Sequence, residues 1–457
     1  PIKKWNAFFI KAGGYFEDRK RNYTMSTLAL KDYPEMDWEK DPWVHIGDSL
    51  AAKLDAPGGQ PMHLETQHAG AGIDQTNGFN AVFRNTAGYA AVNIPLSFTW
   101  PFGKHHTMKL DVYGGVRFEH SARTINGIGE AVATSQAAPS QLLPSVSASW
   151  RITPVHQLRL AYGKTVNRPE LRELSPLVTY NPAKGFTYEG QPGLQDARIN
   201  NYDLRWEYFP HEGEIIAAGI YYKKAKAPVE EINKDLSIGI PGFSAANLNY
   251  ATVKGAELEV YKLLSFIPGS LFSHMGVIVN ASYNVTETNN NLPANGSGIT
   301  GYYPGGATRA FIGAAPWSVN AGLFYDNKNT GSRMSFQYNG TGDRLLTNTG
   351  SAVEKTPWVL ERGRSVVDVS LLQQLTSWVS IRVAAQNLLN TPIRWYVDGD
   401  FNRKYNTRPS QFTKTVYNTA IDPPVVSAYI QGDYYLRDYK PGVYYTLGFQ
   451  FNLQSKK

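Results

Sequence analysis

The side chains able to do chemistry concentrate in two long polar segments, 168–200 and 392–434. The second carries Arg394, Trp395, Tyr396, Asp398, Asp400, Arg403 and Tyr405 within a short span, and the first carries Tyr180 and Tyr188. Rings give contact area at low entropic cost, and charged groups beside them orient a polar ligand. These nine residues are the candidate ligand-binding set; the competing reading is that the rings pack the segments against each other. Asp398-Gly399-Asp400 offers hard oxygens to a divalent cation. A calcium site takes about six ligands, so no metal site is expected. His105-His106 are adjacent and have no Cys or His neighbours to complete a tetrahedral site. Glu170, Arg172 and Glu173 flank Ser175, but no His in that segment could activate the hydroxyl. Asn295-Gly296-Ser297 matches a glycosylation sequon and is read as plain loop. Phosphate-binding, dinucleotide and zinc signatures are lacking. The chain is therefore expected to be no enzyme and to need no cofactor. Its chemistry is capture of a ligand.

The elements that must hold those segments alternate with period two. In Leu110–Glu119, Leu110, Val112, Val116 and Phe118 share one face, while Asp111, Tyr113, Arg117 and Glu119 share the other. Tyr202, Leu204, Trp206 and Tyr208 oppose Asp203, Arg205 and Glu207; Val367, Val369 and Leu371 oppose Asp368; Ile381 and Val383 oppose Arg382. Strands are predicted over 6–28, 79–98, 107–125, 141–152, 157–167, 201–209, 214–231, 248–264, 271–288, 316–326, 332–342, 364–376, 379–391 and 434–453. That is about fourteen strands, an even number, as antiparallel hairpins of a bacterial barrel require.

Connections alternate between short turns rich in Gly, Pro and Asn and long segments without evident structure. Such alternation characterises outer-membrane barrels, whereas sandwiches have short, even loops. The fold class expected is all-β, an antiparallel transmembrane β-barrel. Tyr113, Arg117, Asp203, Arg205, Asp368 and Arg382 are expected to face the lumen. Val112, Val116, Leu204, Trp206, Val369 and Val383 are expected to face lipid. Trp100, Phe102, Trp150, Phe209, Phe266, Phe272 and Trp378 flank the short turns, as an inner aromatic girdle would.

Composition agrees. Aromatic residues make up 13%, with 28 Tyr and 10 Trp, and rings of these types favour a lipid–water boundary. No apolar stretch is long enough for a membrane helix. The net charge of +7 is dispersed among Asp and Glu inside strands, so no nucleic-acid partner is expected. There is no cysteine. Pro1-Ile2-Lys3-Lys4-Trp5 reads neither as a signal peptide nor as a start, so residues 1–457 are expected to be part of a longer chain.

One stretch carries a resemblance. Asn167-Arg168-Pro169-Glu170-Leu171-Arg172-Glu173-Leu174-Ser175-Pro176 is followed by Glu189-Gly190-Gln191-Pro192-Gly193-Leu194 and then Asn201-Tyr202-Asp203-Leu204. With Gly255-Ala256-Glu257-Leu258-Glu259 and Ala385-Gln386-Asn387-Leu388-Leu389-Asn390, this order resembles the barrel of TonB-dependent outer-membrane receptors. The resemblance implies a barrel of about twenty-two strands, with 1–457 as its C-terminal portion and the plug domain and first strands outside this chain. It implies active uptake of a nutrient across the bacterial outer membrane. The partners it implies are outer-membrane lipid, the missing N-terminal segment and the TonB–ExbB–ExbD complex, with room for a surface lipoprotein. The alternatives are a passive porin-like channel of about fourteen strands and a non-transporting outer-membrane scaffold.

Overall fold

The computed structural model describes residues 8–25, 28–31, 63–66, 77–99, 107–128, 134–137, 139–175, 177–181, 186–235, 241–289, 308–347, 358–398, 403–405 and 433–451. Fourteen strands pair in chain order. They are β1 (Phe9–Met25), β2 (Asn77–Thr99), β3 (Thr107–Ile128), β4 (Ser140–Arg151), β5 (His156–Asn167), β6 (Ala197–Tyr208) and β7 (Ile215–Lys226), followed by β8 (Tyr250–Leu263), β9 (Met275–Asn289), β10 (Trp317–Asn327), β11 (Ser332–Thr341), β12 (Ser365–Gln374), β13 (Val379–Gln386) and β14 (Tyr444–Phe451). Every neighbour along this path is antiparallel. Among the described residues β1 and β14 are the edges of the sheet and do not pair with each other. No described helix is long and apolar enough to cross a membrane, which says nothing of strands.

The short turns close through side chains that cap the chain reversal. Thr153 Oγ1 accepts the Val155 and His156 amides, and Thr376 Oγ1 accepts those of Trp378 and Val379. Asn327 Oδ1 accepts the Asn329 and Thr330 amides, and Gly331 takes φ +65° to re-enter β11.

Three predicted strands are shorter than expected, each for a local reason. The 214–231 run breaks where Ala227 adopts φ +54° before Pro228, which has no amide to donate. The 379–391 run ends at Asn387, held at φ +53° with its amide donated to Asp368 at 2.8 Å. The 434–453 run is interrupted by Pro441 and by Gly442 at φ +91°.

The strand registers sort side chains onto two faces. Tyr113 lies opposite Ser147, Ser147 opposite Ala161, and Ala161 opposite Asp203. Arg205 lies opposite Gly219, Gly219 opposite Glu257, and Glu257 opposite Ser282. Farther along, Asp368 pairs with Gln337 and Arg382 with Leu372, on the same side. The opposite face carries Val116, Phe118, Leu160, Ile220, Leu258, Phe336, Val383, Leu447 and Phe449, all well exposed. So large an apolar exposure on one face of a sheet marks a surface made for something other than water.

The long connections, expected to lack structure, build two further four-stranded sheets instead. In one, Val178–Asn181 pairs with Phe186–Glu189, which runs parallel to Pro241–Asn247, itself antiparallel to Val229–Asp235. In the other, Arg344–Thr347, Trp358–Glu361, Ile393–Asp398 and Tyr434–Tyr439 pair in that order. Half of these strands are only four residues long, too short to show a period in the sequence. Each sheet has a small core. Phe79, Phe83 and Ile125 of β2 and β3 pack with Leu171, Leu174, Leu177, Leu194 and Ala245. Leu345, Trp358, Leu360 and Tyr396 form the other. Each buried Leu or Phe contributes roughly 1.5–3 kcal/mol, enough to hold a connection in place.

Candidate functional site at the long-loop rim

On the polar face, cations and carboxylates alternate across strands. Arg205 lies 2.9 Å from Glu207 and 2.5 Å from Glu259, and Arg159 and Gln157 reach the same Glu207 at 3.2 and 3.1 Å. Arg117 lies 2.5 Å from Glu119, which Arg168 also contacts. Arg123 lies 2.6 Å from Asp196. The expected lumen set therefore shares one face of the sheet. Asp203 and Arg382 are exposed there, while Arg117, Arg205 and Asp368 are engaged in bonds.

The 168–200 connection folds back on this face. Arg168, Leu171 and Leu174 point toward β3, and Arg172 donates to Thr179 at 3.0 Å and lies over the Tyr188 ring at 5.0 Å. Tyr188 is half-buried; burial, then the Glu173 and Glu231 carboxylates, push its phenol well above the ordinary tyrosine range. Ser175 is buried and accepts the Leu177 amide at 3.2 Å, a turn role. Glu173 accepts the Glu170 amide at 2.8 Å, and burial raises its pKa. Gly190 sits against three carbonyl oxygens: a Cβ there would lie 2.1 Å from that of Ser175 and 2.6 Å from that of Arg172. Tyr180 belongs to the Val178–Asn181 strand, and its side chain lies outside the described residues.

The 392–434 connection supplies a recess. Tyr396 is fully buried, and its hydroxyl donates to Asp343 at 2.8 Å. Burial, then the Asp343 carboxylate, raise its pKa. Asp398 is fully buried too and accepts the Arg403 amide at 2.8 Å. Both serve the packing of the small sheet. Arg394 pairs with Asp438 at 3.1 Å and lies over Tyr435, while Trp395 stacks under Arg437 at 4.8 Å. Tyr405 stacks on Tyr435 with centroids 4.4 Å apart. Asp400 lies outside the described residues, as do Trp100, Phe102, His105, His106 and 295–297. Of the remaining girdle, Phe266 and Trp378 are exposed beside short turns.

Tyr405 and Arg403 line a recess of about 770 Å³ with Lys404, Arg362, Arg364, Asp343, Ser365, Thr391, Asn284 and Trp317. Four cations face one carboxylate, and Asp343 is already occupied by Tyr396 and the Gly363 amide. Such a recess suits a ligand with negative charge. Arg362, Arg364 and Asp343 did not stand out in the sequence. The signal for the first two is the Arg362-Gly363-Arg364 run between two strands. Among the described residues no cluster of His, Cys, Asp and Glu could hold a metal ion.

The β-barrel domain of the TonB dependent receptor-like family matches residues 3–388. The chain belongs to that family, whose members are outer-membrane β-barrels. No curated protein matches it. Among solved structures, it is similar to a mutant of the ferric enterobactin receptor PfeA of Pseudomonas aeruginosa, at 12% identity over 69% of this chain and 49% of that one, with a TM-score of 0.40. It is similar to the ferric yersiniabactin uptake receptor FyuA of Yersinia pestis, at 16% identity over 70% of this chain and 47% of that one, with a TM-score of 0.42. It is also similar to the copper transporter OprC, at 14% identity over 68% of this chain and 43% of that one, with a TM-score of 0.48. The chain thus spans about half the length of these proteins.

Proposed function

We propose that the complete protein is an outer-membrane receptor that imports a scarce nutrient too large or too dilute for porins. The observation that carries this reading is membership of the receptor family over residues 3–388. In this reading the apolar face of the fourteen-stranded sheet contacts lipid and the ion-paired face lines the lumen. A sheet edge left open in hydrocarbon strands its amides, so further strands close the barrel between β1 and β14. A plug domain couples transport to the TonB–ExbB–ExbD complex. The protein moves its cargo and leaves it chemically unchanged. The recess under Arg362, Arg364, Arg403 and Lys404 receives the cargo first, which selects for anionic forms such as iron chelates with carboxylates or acidic glycans.

Uptake of a panel of anionic iron chelates, acidic glycans and peptides, measured in cells with and without TonB, tests the reading. Uptake of one member that needs both this protein and TonB is expected. Uptake that needs this protein but persists without TonB would replace it with a passive channel. Binding of that ligand by an Arg362→Gln, Arg364→Gln variant should fall at least tenfold, at about 1.4 kcal/mol per tenfold.

A further inference from the structure

The apolar face changes character along β5–β8, where the strand registers lay its side chains in rows. One row is Leu160, Leu204, Ile220 and Ala256. The next toward the long loops is Tyr162, Tyr202, Tyr222 and Lys254. Beyond it stand Lys164 and Lys224 with Asn200 between them, and beyond those Arg198 beside Lys226. The tyrosines form a continuous belt, with ring centroids 5.1 Å apart for Tyr162 and Tyr202 and 6.2 Å for Tyr202 and Tyr222.

Two observations separate this patch from ordinary surface charge. On the polar face, Arg117, Arg123, Arg159 and Arg205 each have a carboxylate partner. None of the five cations of this patch has one among the described residues, whereas elsewhere on the apolar face Arg84 pairs with Asp18 and Lys262 with Glu214. The acid next to the patch, Glu287, accepts the Tyr250 hydroxyl at 3.1 Å instead. Five like charges on four neighbouring strands repel one another unless a counter-ion arrives from outside. Immediately below them an apolar groove of about 350 Å³ opens between Val146, Leu160, Tyr162, Tyr202, Ile220 and Tyr222. An apolar trough beside a cationic cluster is the complement of a molecule with an acyl chain and an anionic head.

We infer that this surface binds a phosphorylated lipid of the outer leaflet. Its phosphates lie among Lys164, Lys224, Lys254, Arg198 and Lys226, and one acyl chain lies in the groove along the Tyr162–Tyr202–Tyr222 belt. The inference rests on the assignment of the apolar face to lipid, and it is independent of what the protein imports. The long-loop end of the strands carries the cations, so the lipid belongs to the leaflet on that side. Lysine stems lie along the apolar wall while their ammonium groups reach the headgroup level. Tyrosine rings hold the same boundary.

The test uses the complete protein, purified in a non-ionic detergent and titrated with diphosphoryl lipid A, with bound lipid counted by native mass spectrometry. The Lys164→Gln, Lys224→Gln, Lys254→Gln triple variant should bind about a hundredfold more weakly, since each lysine near an anionic lipid surface contributes about a factor of five. Lys223→Gln, on the opposite face of the same strand, should bind like the unmodified protein. Inorganic phosphate at the same phosphate concentration should not displace the lipid. Undiminished binding by the triple variant, an equal loss in Lys223→Gln, or displacement by inorganic phosphate would each overturn the inference. If the triple variant fails to fold, the salt dependence of the unmodified protein decides: affinity must fall as salt rises, and a salt-independent affinity sinks the proposal.

Discussion

Arg123 of β3 and Asp196 of the 168–200 connection form an ion pair at 2.6 Å with both side chains buried. Breaking a buried pair by removing one partner leaves the other charge without compensation, at a cost of about 3–5 kcal/mol. The pair acts with the Arg168–Glu119 contact and with the core under Leu171 and Leu174, so the connection is held down on the sheet at several points. Arg123→Met should therefore free residues 168–196 without unfolding the fourteen strands. Hydrogen exchange should show lost protection in that segment, while the heat-resistant migration of the barrel stays as before.

Gly190 tolerates no side chain. A Cβ would lie 2.1 Å from the Ser175 carbonyl oxygen and 2.6 Å from that of Arg172, and both are backbone atoms that cannot swing aside. Gly190→Ala should displace the 170–175 turn and expose it to limited proteolysis. Gly193→Ala, where the nearest atom is the Gln191 side chain at 3.9 Å, should leave the digestion pattern unchanged.

Tyr396 discriminates packing from ligand contact. Its ring is buried and its hydroxyl serves Asp343. Tyr396→Ala should destabilise the small sheet by about 3–5 kcal/mol through the cavity it leaves, whereas Tyr396→Phe should cost about 1 kcal/mol. Exchange protection at 344–347 and 358–361 reads both. Equal effects from the two substitutions would contradict this account.

The two faces should respond differently to charge. Leu204→Arg places a cation on the face assigned to lipid and should cost about 2–4 kcal/mol near the midplane. Ser147→Arg adds the same group to the ion-paired face and should cost much less. Unfolding in urea from lipid vesicles gives the comparison, and a reversed order would overturn the facing assigned here.

Glu214 gives an acid-sensitive turn at the short-turn rim. Burial raises its pKa, but hydrogen bonds from Lys262, His211 and the Leu263 amide outweigh it and hold the carboxylate below its ordinary value of 4.5. A carboxylate with a lowered folded pKa contributes stability that is complete above the ordinary value and fades as pH falls through the folded one. Opening of the 209–214 turn should thus increase below about pH 4.5, measured by hydrogen exchange. Glu214→Gln should remove that acid limb.

The sequence by itself determined the fourteen strands, their antiparallel order and their faces. Alternation such as Leu110, Val112, Val116 and Phe118 against Asp111, Tyr113, Arg117 and Glu119 is local, and so are the turn residues Asn327 and Gly331 that join one strand to the next. Family membership was legible for the same reason, through motifs read within short windows. Only the tertiary structure decided what the long connections do. Tyr396 and Asp343, like Arg123 and Asp196, are far apart in the chain and meet only because the long connections fold onto the sheet or onto one another. The same folding gathers Arg362, Arg364, Arg403 and Lys404 around one recess. Alternation along a strand reports which face a residue takes. Which distant residues share a site depends on how the connections between the strands fold over them, and that is decided by contacts no local pattern encodes.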